Sequence, residues 1–137
     1  MSYKLLIGVL LLIAQNTFAS QFPLVIIEPF DESKIVIYTT EKDIEKSPAW
    51  KPADGTPPLT IEKLIADINK HNAKHPKLAN SIIHEIELKP ILHHEKQNRW
   101  YYLIQMQGGG KQPHRHYLAV LMDGKIISAI KEPESYK

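Results

Sequence analysis

Seven histidines in 137 residues are the main chemical resource of this chain, and no cysteine accompanies them. They stand at positions 71, 75, 84, 93, 94, 114 and 116. In His114-Arg115-His116 an extended backbone would set two imidazoles on one face about 7 Å apart, close enough for both to reach one metal ion. His93 or His94 would add a third ligand if their segment paired alongside in register, and imidazole suits zinc and copper equally. His93, His94, His114 and His116 are therefore the candidate metal ligands. The plainer reading makes His114 and His116 part of a basic rim with Lys111 and Arg115. His71 and His75 form an i, i+4 pair near a helix end, where they either chelate or complement the negative end of the helix dipole.

Other constellations are thinner. His84 alternates with Ile82, Ile86 and Leu88, which reads as a hydrogen-bonded histidine on an inward face. Glu85 and Glu87 share the opposite face, and paired carboxylates act as acid and base when their surroundings split their pKa values. Alternating with Ile83 and Lys89, they read instead as solvated. No Gly-x-Ser-x-Gly elbow is present. Gly108-Gly109-Gly110 lacks the Lys-Ser/Thr of a phosphate loop and is expected to be a flexible connection. Trp100, Tyr101 and Tyr102 could stack on a partner, so Trp100, Tyr101, Lys111 and Arg115 are the candidate partner-binding residues.

The elements that must position these groups follow from periodicity. Leu24-Val25-Ile26-Ile27 and Ile35-Val36-Ile37-Tyr38 flank a turn-rich connector and read as an N-terminal β-hairpin. Residues 41–58 carry charges and turn formers around Trp50, which reads as a long loop whose tryptophan caps part of the core. Thr60 is a helix N-cap, and Ile61, Leu64, Ile65, Ile68 and Asn72 recur at three- and four-residue steps, so an amphipathic helix covers about 60–74 until Pro76 stops it. The period then changes to two. Residues 82–88 form a strand with Ile82, His84, Ile86 and Leu88 inward, and residues 92–107 a second one with bulky residues on both faces, hence central. Asp123-Gly124 between Val120-Leu121-Met122 and Lys125-Ile126-Ile127 marks a final hairpin, expected to turn through type I′ geometry. The sum is an α+β fold with one helix on a curved antiparallel sheet.

Residues 1–19 carry Lys4, an apolar run over 5–14 and Thr17-Phe18-Ala19, the pattern of a secretory signal peptide cleaved after Ala19. That run is shorter than the roughly 20 residues that span a bilayer. Residues 20–137 are then a single exported domain with no membrane anchor. Lack of cysteine and of Asn-x-Ser/Thr sequons favours a bacterial periplasm over a eukaryotic exterior. A net charge of +2, with lysines and acids interspersed, gives no stripe for nucleic acid.

In outline, residues 58–129 resemble the PepSY domain, a small secreted α+β module that runs helix, strand, strand. The resemblance is carried by the helix from Thr60, the strand at Ile82, the aromatic strand Trp100-Tyr101-Tyr102 and the hairpin at Asp123-Gly124. Here the turn is a bare Asp-Gly, the 108–113 connection is longer, and residues 22–58 have no counterpart. Cystatin-like and NTF2-like folds share the same periodicity. Small uncharacterised bacterial exported proteins resemble the segments around Trp50 and Trp100. The expected function is a non-enzymatic periplasmic or secreted binding or accessory module, presenting a sheet face and the 108–116 loop to a protein or peptide. A zinc- or copper-binding protein is the alternative, and a hydrolase or isomerase in an NTF2-like cone is a third class.

Overall fold

A computed structural model describes residues 20–29, 33–108 and 114–132. The expected leader over residues 1–19, and Lys111, lie outside the described residues.

Among the described residues, seven strands and two α-helices make a mixed α+β fold. In chain order they are β1 (Gln21–Ile27), β2 (Lys34–Thr40), α1 (Glu41–Lys46), α2 (Ile61–Ala73), β3 (Ile82–Pro90), β4 (Trp100–Gln107), β5 (Arg115–Leu121), β6 (Ile126–Ser128) and β7 (Ile130–Glu132). The strands form two sheets, a three-stranded one ordered β1-β2-β7 and a four-stranded antiparallel meander ordered β3-β4-β5-β6. Only Ala129 separates β6 from β7, so one short stretch of chain leaves the larger sheet and enters the smaller.

Alternation along β4 and β5 explains how the layers meet. Tyr102, Ile104, Met106, Leu118 and Val120 point to one face and bury Leu59, Leu64 and Ile68 of α2 and its approach. Tyr101, Leu103, Ala119 and Leu121 point to the other and pack against Leu24, Ile37, Ile44 and Ile91. Both faces of β4 are thus covered, as its bulky composition requires.

Helix α2 starts where its cap dictates: the Thr60 hydroxyl accepts the Lys63 N–H at 3.2 Å. Its buried stripe is Leu64, Ile68 and Asn72, while Ile61 and Ile65 are exposed. Helix α1 interrupts the loop expected after Thr40. Thr40 is its N-cap, accepting the Asp43 N–H at 3.2 Å, and Ile44 anchors it in the core. A hydrogen bond from the Met122 N–H to the Ser47 hydroxyl, 3.0 Å long, then ties the end of α1 to the β5–β6 turn. Arg99 also donates to the Ser47 carbonyl.

Two local expectations need correction. Strand β3 carries a bulge at His84: Ile83 pairs with Met106 and Glu85 with Gln105. The extra residue flips the alternation, so Ile83 and Ile86 pack on the core while Ile82 is 70% exposed and His84 is exposed too. The Asp123-Gly124 hairpin forms, but only Gly124 has positive φ, at 92°. Gly124 N–H donates to the Leu121 carbonyl and Leu121 N–H to the Lys125 carbonyl, the pattern of a type I turn followed by a glycine bulge rather than type I′. Trp50 is buried in its loop and meets Trp100 edge to face, centroids 5.6 Å apart.

Candidate functional site

The transfer of chain from β6 to β7 opens a groove. Strand β6 pairs with β5 only from Leu118 to Val120, and the Ala129 N–H reaches the Tyr117 carbonyl at 3.3 Å before the chain turns toward β2. Strand β7 then pairs with β2, Ile130 opposite Val36 and Glu132 opposite Lys34. Beyond Ala129, β5 at Arg115 and His116 and β7 at Ile130 and Lys131 diverge, each with a strand edge unpaired among the described residues.

The space between them is about 560 Å³ and is lined by His114, Arg115, His116, Ile130 and Lys131, with apolar surface from Ile35 and Leu78. No carboxylate lines it among the described residues. Burial, then the neighbouring His114 and Lys77, hold the His116 imidazole below the ordinary histidine range. His116 is therefore a neutral hydrogen-bonding group at pH 7, and Arg115 and Lys131 carry the fixed charge. The Gly108 N–H donates to the His114 carbonyl at 2.8 Å, extending the β4–β5 ladder to the mouth of the groove. Hydrogen-bonding strand edges beside cationic side chains suit an extended chain bearing negative charge.

The other candidates lie elsewhere. His93 and His94 follow β3 and sit beside Arg99, at the Trp100 end of β4, whereas Arg115 and His116 pair with its Gln107 end. An eight-residue strand separates those ends by about 24 Å. The four proposed ligands are thus not brought together, and no group of three or more His, Asp or Glu side chains able to hold a metal forms among the described residues.

His94 is further committed. Its Nε2 lies 2.9 and 2.8 Å from the two Glu41 carboxylate oxygens, and its Nδ1 3.0 Å from the Leu92 carbonyl. Both partners only accept, so both ring nitrogens donate and neither offers a lone pair to a metal. Burial opposes the charged ring. The Glu41 hydrogen bond, the Leu92 carbonyl and the charges of Glu41 and Glu95 outweigh it and raise the pKa above the usual histidine value. Phe22 stacks on the ring at 5.8 Å beside a second cleft of about 310 Å³.

Two aromatic candidates pack within the fold. Tyr101 is 2% exposed inside the second cluster, and burial followed by the Glu87 charge pushes its phenol up to about 12. Trp100 is half-buried against Trp50. Neither faces the groove, and of the expected partner-binding set Arg115 alone does so among the described residues. Lys131 and Ile130 were missed because their contribution depends on the turn at Ala129, for which the local sequence has no marker. Glu41 was missed as the partner of His94, although Thr40-x-x-Asp43 is a legible capping pattern for the helix that carries it.

Among the described residues no helix is long and apolar enough to cross a membrane. No family model, no curated protein and no solved structure matches this chain.

Proposed function

We propose that this chain is a non-enzymatic, exported binding module that takes an extended acidic peptide segment into the groove between β5 and β7. One observation carries the reading: among the described residues, two unpaired strand edges flank a groove whose charged side chains, Arg115 and Lys131, have one sign. A peptide entering there gains main-chain hydrogen bonds from the edge and charge pairing at alternate side chains. Ile35, Ile130 and Leu78 supply apolar contact for the residues between. Export is the other half of the reading and rests on the leader pattern over residues 1–19. The PepSY-like assignment rests on the succession of α2, β3, β4 and β5 followed by the Asp123-Gly124 turn.

The test is fluorescence anisotropy with two labelled decapeptides, one alternating Glu and Val, the other Lys and Val. The acidic peptide is expected to bind, less tightly as salt rises. Arg115→Glu combined with Lys131→Glu should weaken it about tenfold, equivalent to roughly 1.4 kcal/mol. Equal binding of both peptides, or of the acidic peptide to wild type and charge-reversed protein, would overturn the reading. Mass spectrometry of protein from cells should find a chain beginning at Ser20; an intact leader would remove the export half.

A further inference from the structure

We propose that His71 and His75 form a two-nitrogen chelate for a divalent transition ion, copper(II) above all, at the C-terminal end of α2. The rings are stacked, with centroids 4.1 Å apart and planes 22° from parallel. Their hydrogen bonds assign the tautomers. His75 Nδ1 lies 2.7 Å from the His71 carbonyl oxygen, which only accepts, so Nδ1 carries the proton and Nε2 holds the lone pair.

The same logic reaches His71 through two further residues. Asn72 is buried and its amide Nδ2 donates to the Met106 sulfur at 3.1 Å, which directs the carbonyl Oδ1 the other way. That oxygen is 3.3 Å from His71 Nδ1. His71 therefore also donates from Nδ1 and keeps Nε2 open. Each histidine thus has its other ring nitrogen held by an oxygen acceptor, the arrangement that orients imidazoles in metal sites. His94, by contrast, spends both nitrogens.

Position adds to this. His71 stands in the last turn of the 13-residue helix and His75 two residues past its end at Ala73, where the partial negative charge of the helix terminus favours a cation. The stacked rings lie side by side, so a bound ion ties the last turn of α2 to the residue that precedes Pro76. Lys70, Lys74 and Lys77 lie close in sequence and temper the affinity. Two imidazoles leave the remaining coordination positions to water or an incoming group, and among first-row divalent ions copper(II) binds nitrogen most strongly.

The experiment is calorimetric titration of the untagged full chain with copper(II) chloride at pH 7.5, with electron paramagnetic resonance of the product. One ion per chain is expected, with hyperfine coupling to two imidazole nitrogens, and a higher Tm when loaded. His75 is exposed, so His75→Ala folds, and it should lose the binding, the two-nitrogen signal and the Tm rise together. His71→Ala should behave likewise, and His114→Ala with His116→Ala should bind as wild type does. Undiminished binding by His75→Ala, dependence on His114 and His116, or no binding by wild type would each overturn the assignment. None of these results bears on acidic-peptide binding in the groove.

Discussion

The His94 imidazole and the Glu41 carboxylate meet with Nε2 2.8 Å from Oε2, joining the segment after β3 to the first residue of α1 across 53 positions of sequence. The ring is nearly buried and its second nitrogen is taken by the Leu92 carbonyl, so the contact is a fixed clasp between two layers.

The clasp has a pH signature. His94 has a folded pKa above its unfolded value of 6.5, so its stabilisation is complete below about pH 6.5 and fades as pH rises through the folded pKa. Wild type should therefore exceed His94→Gln in Tm by more at pH 5.5 than at pH 9, as read by circular dichroism. A difference that is constant or grows toward pH 9 would contradict this.

Asp43 should show the opposite sign. Its hydrogen bond to Lys125, at 2.8 Å, outweighs burial and holds its carboxyl below the ordinary value of 3.8. That stabilisation is present above about pH 3.8 and disappears as pH falls through the lower folded pKa. Lys125 is about half exposed, so Asp43→Asn should cost under about 1 kcal/mol at pH 7 and less at pH 2.5. Urea unfolding at the two pH values measures both, and a larger cost at pH 2.5 would refute the assignment.

Helix α2 separates buried from exposed positions that look alike in sequence. Leu64 is fully buried and Ile65, next to it, is 37% exposed. Leu64→Ala should cost about 2–5 kcal/mol through lost burial and a residual cavity. Ile65→Ala should stay under about 1 kcal/mol. Similar costs from urea midpoints would show that α2 is rotated on its sheet.

What the sequence made legible here is local and periodic. Thr60 announces α2, and the two-faced composition of Trp100 to Gln107 marks β4 as covered on both sides. Strand β3 shows the limit: the alternation of Ile82, His84, Ile86 and Leu88 is real, but with one extra residue at His84 the positions packed on the core are Ile83 and Ile86, and both ends of the set, Ile82 and Leu88, are exposed. Helix α1 escaped because six residues with one buried apolar side chain give no period. The groove and the His94–Glu41 clasp depend on which strands neighbour one another, and no spacing within a single segment encodes that. His71 and His75 were visible as an i, i+4 pair, whereas the tautomers that distinguish a chelate from a charged helix end came from Asn72 and Met106, one of them on another element.

The β5–β6 turn allows a test of backbone against packing. Gly124 has φ of +92°, where a side chain is strained, yet a Cβ there would meet only Asp67 Oδ2, at an ordinary 3.9 Å. Any penalty therefore arises from conformation and not from crowding. Gly124→Ala should cost about 1–2 kcal/mol, and Gly124→Asn less, because asparagine enters left-handed geometry more readily. Gly108 gives the contrasting case: its φ is not in that range, and its added Cβ would approach His116 Nε2 at 3.4 Å. Gly108→Ala should leave urea stability nearly unchanged, within about 0.5 kcal/mol. Equal losses for alanine and asparagine at 124 would point to crowding at the turn and reject the type I turn with a glycine bulge.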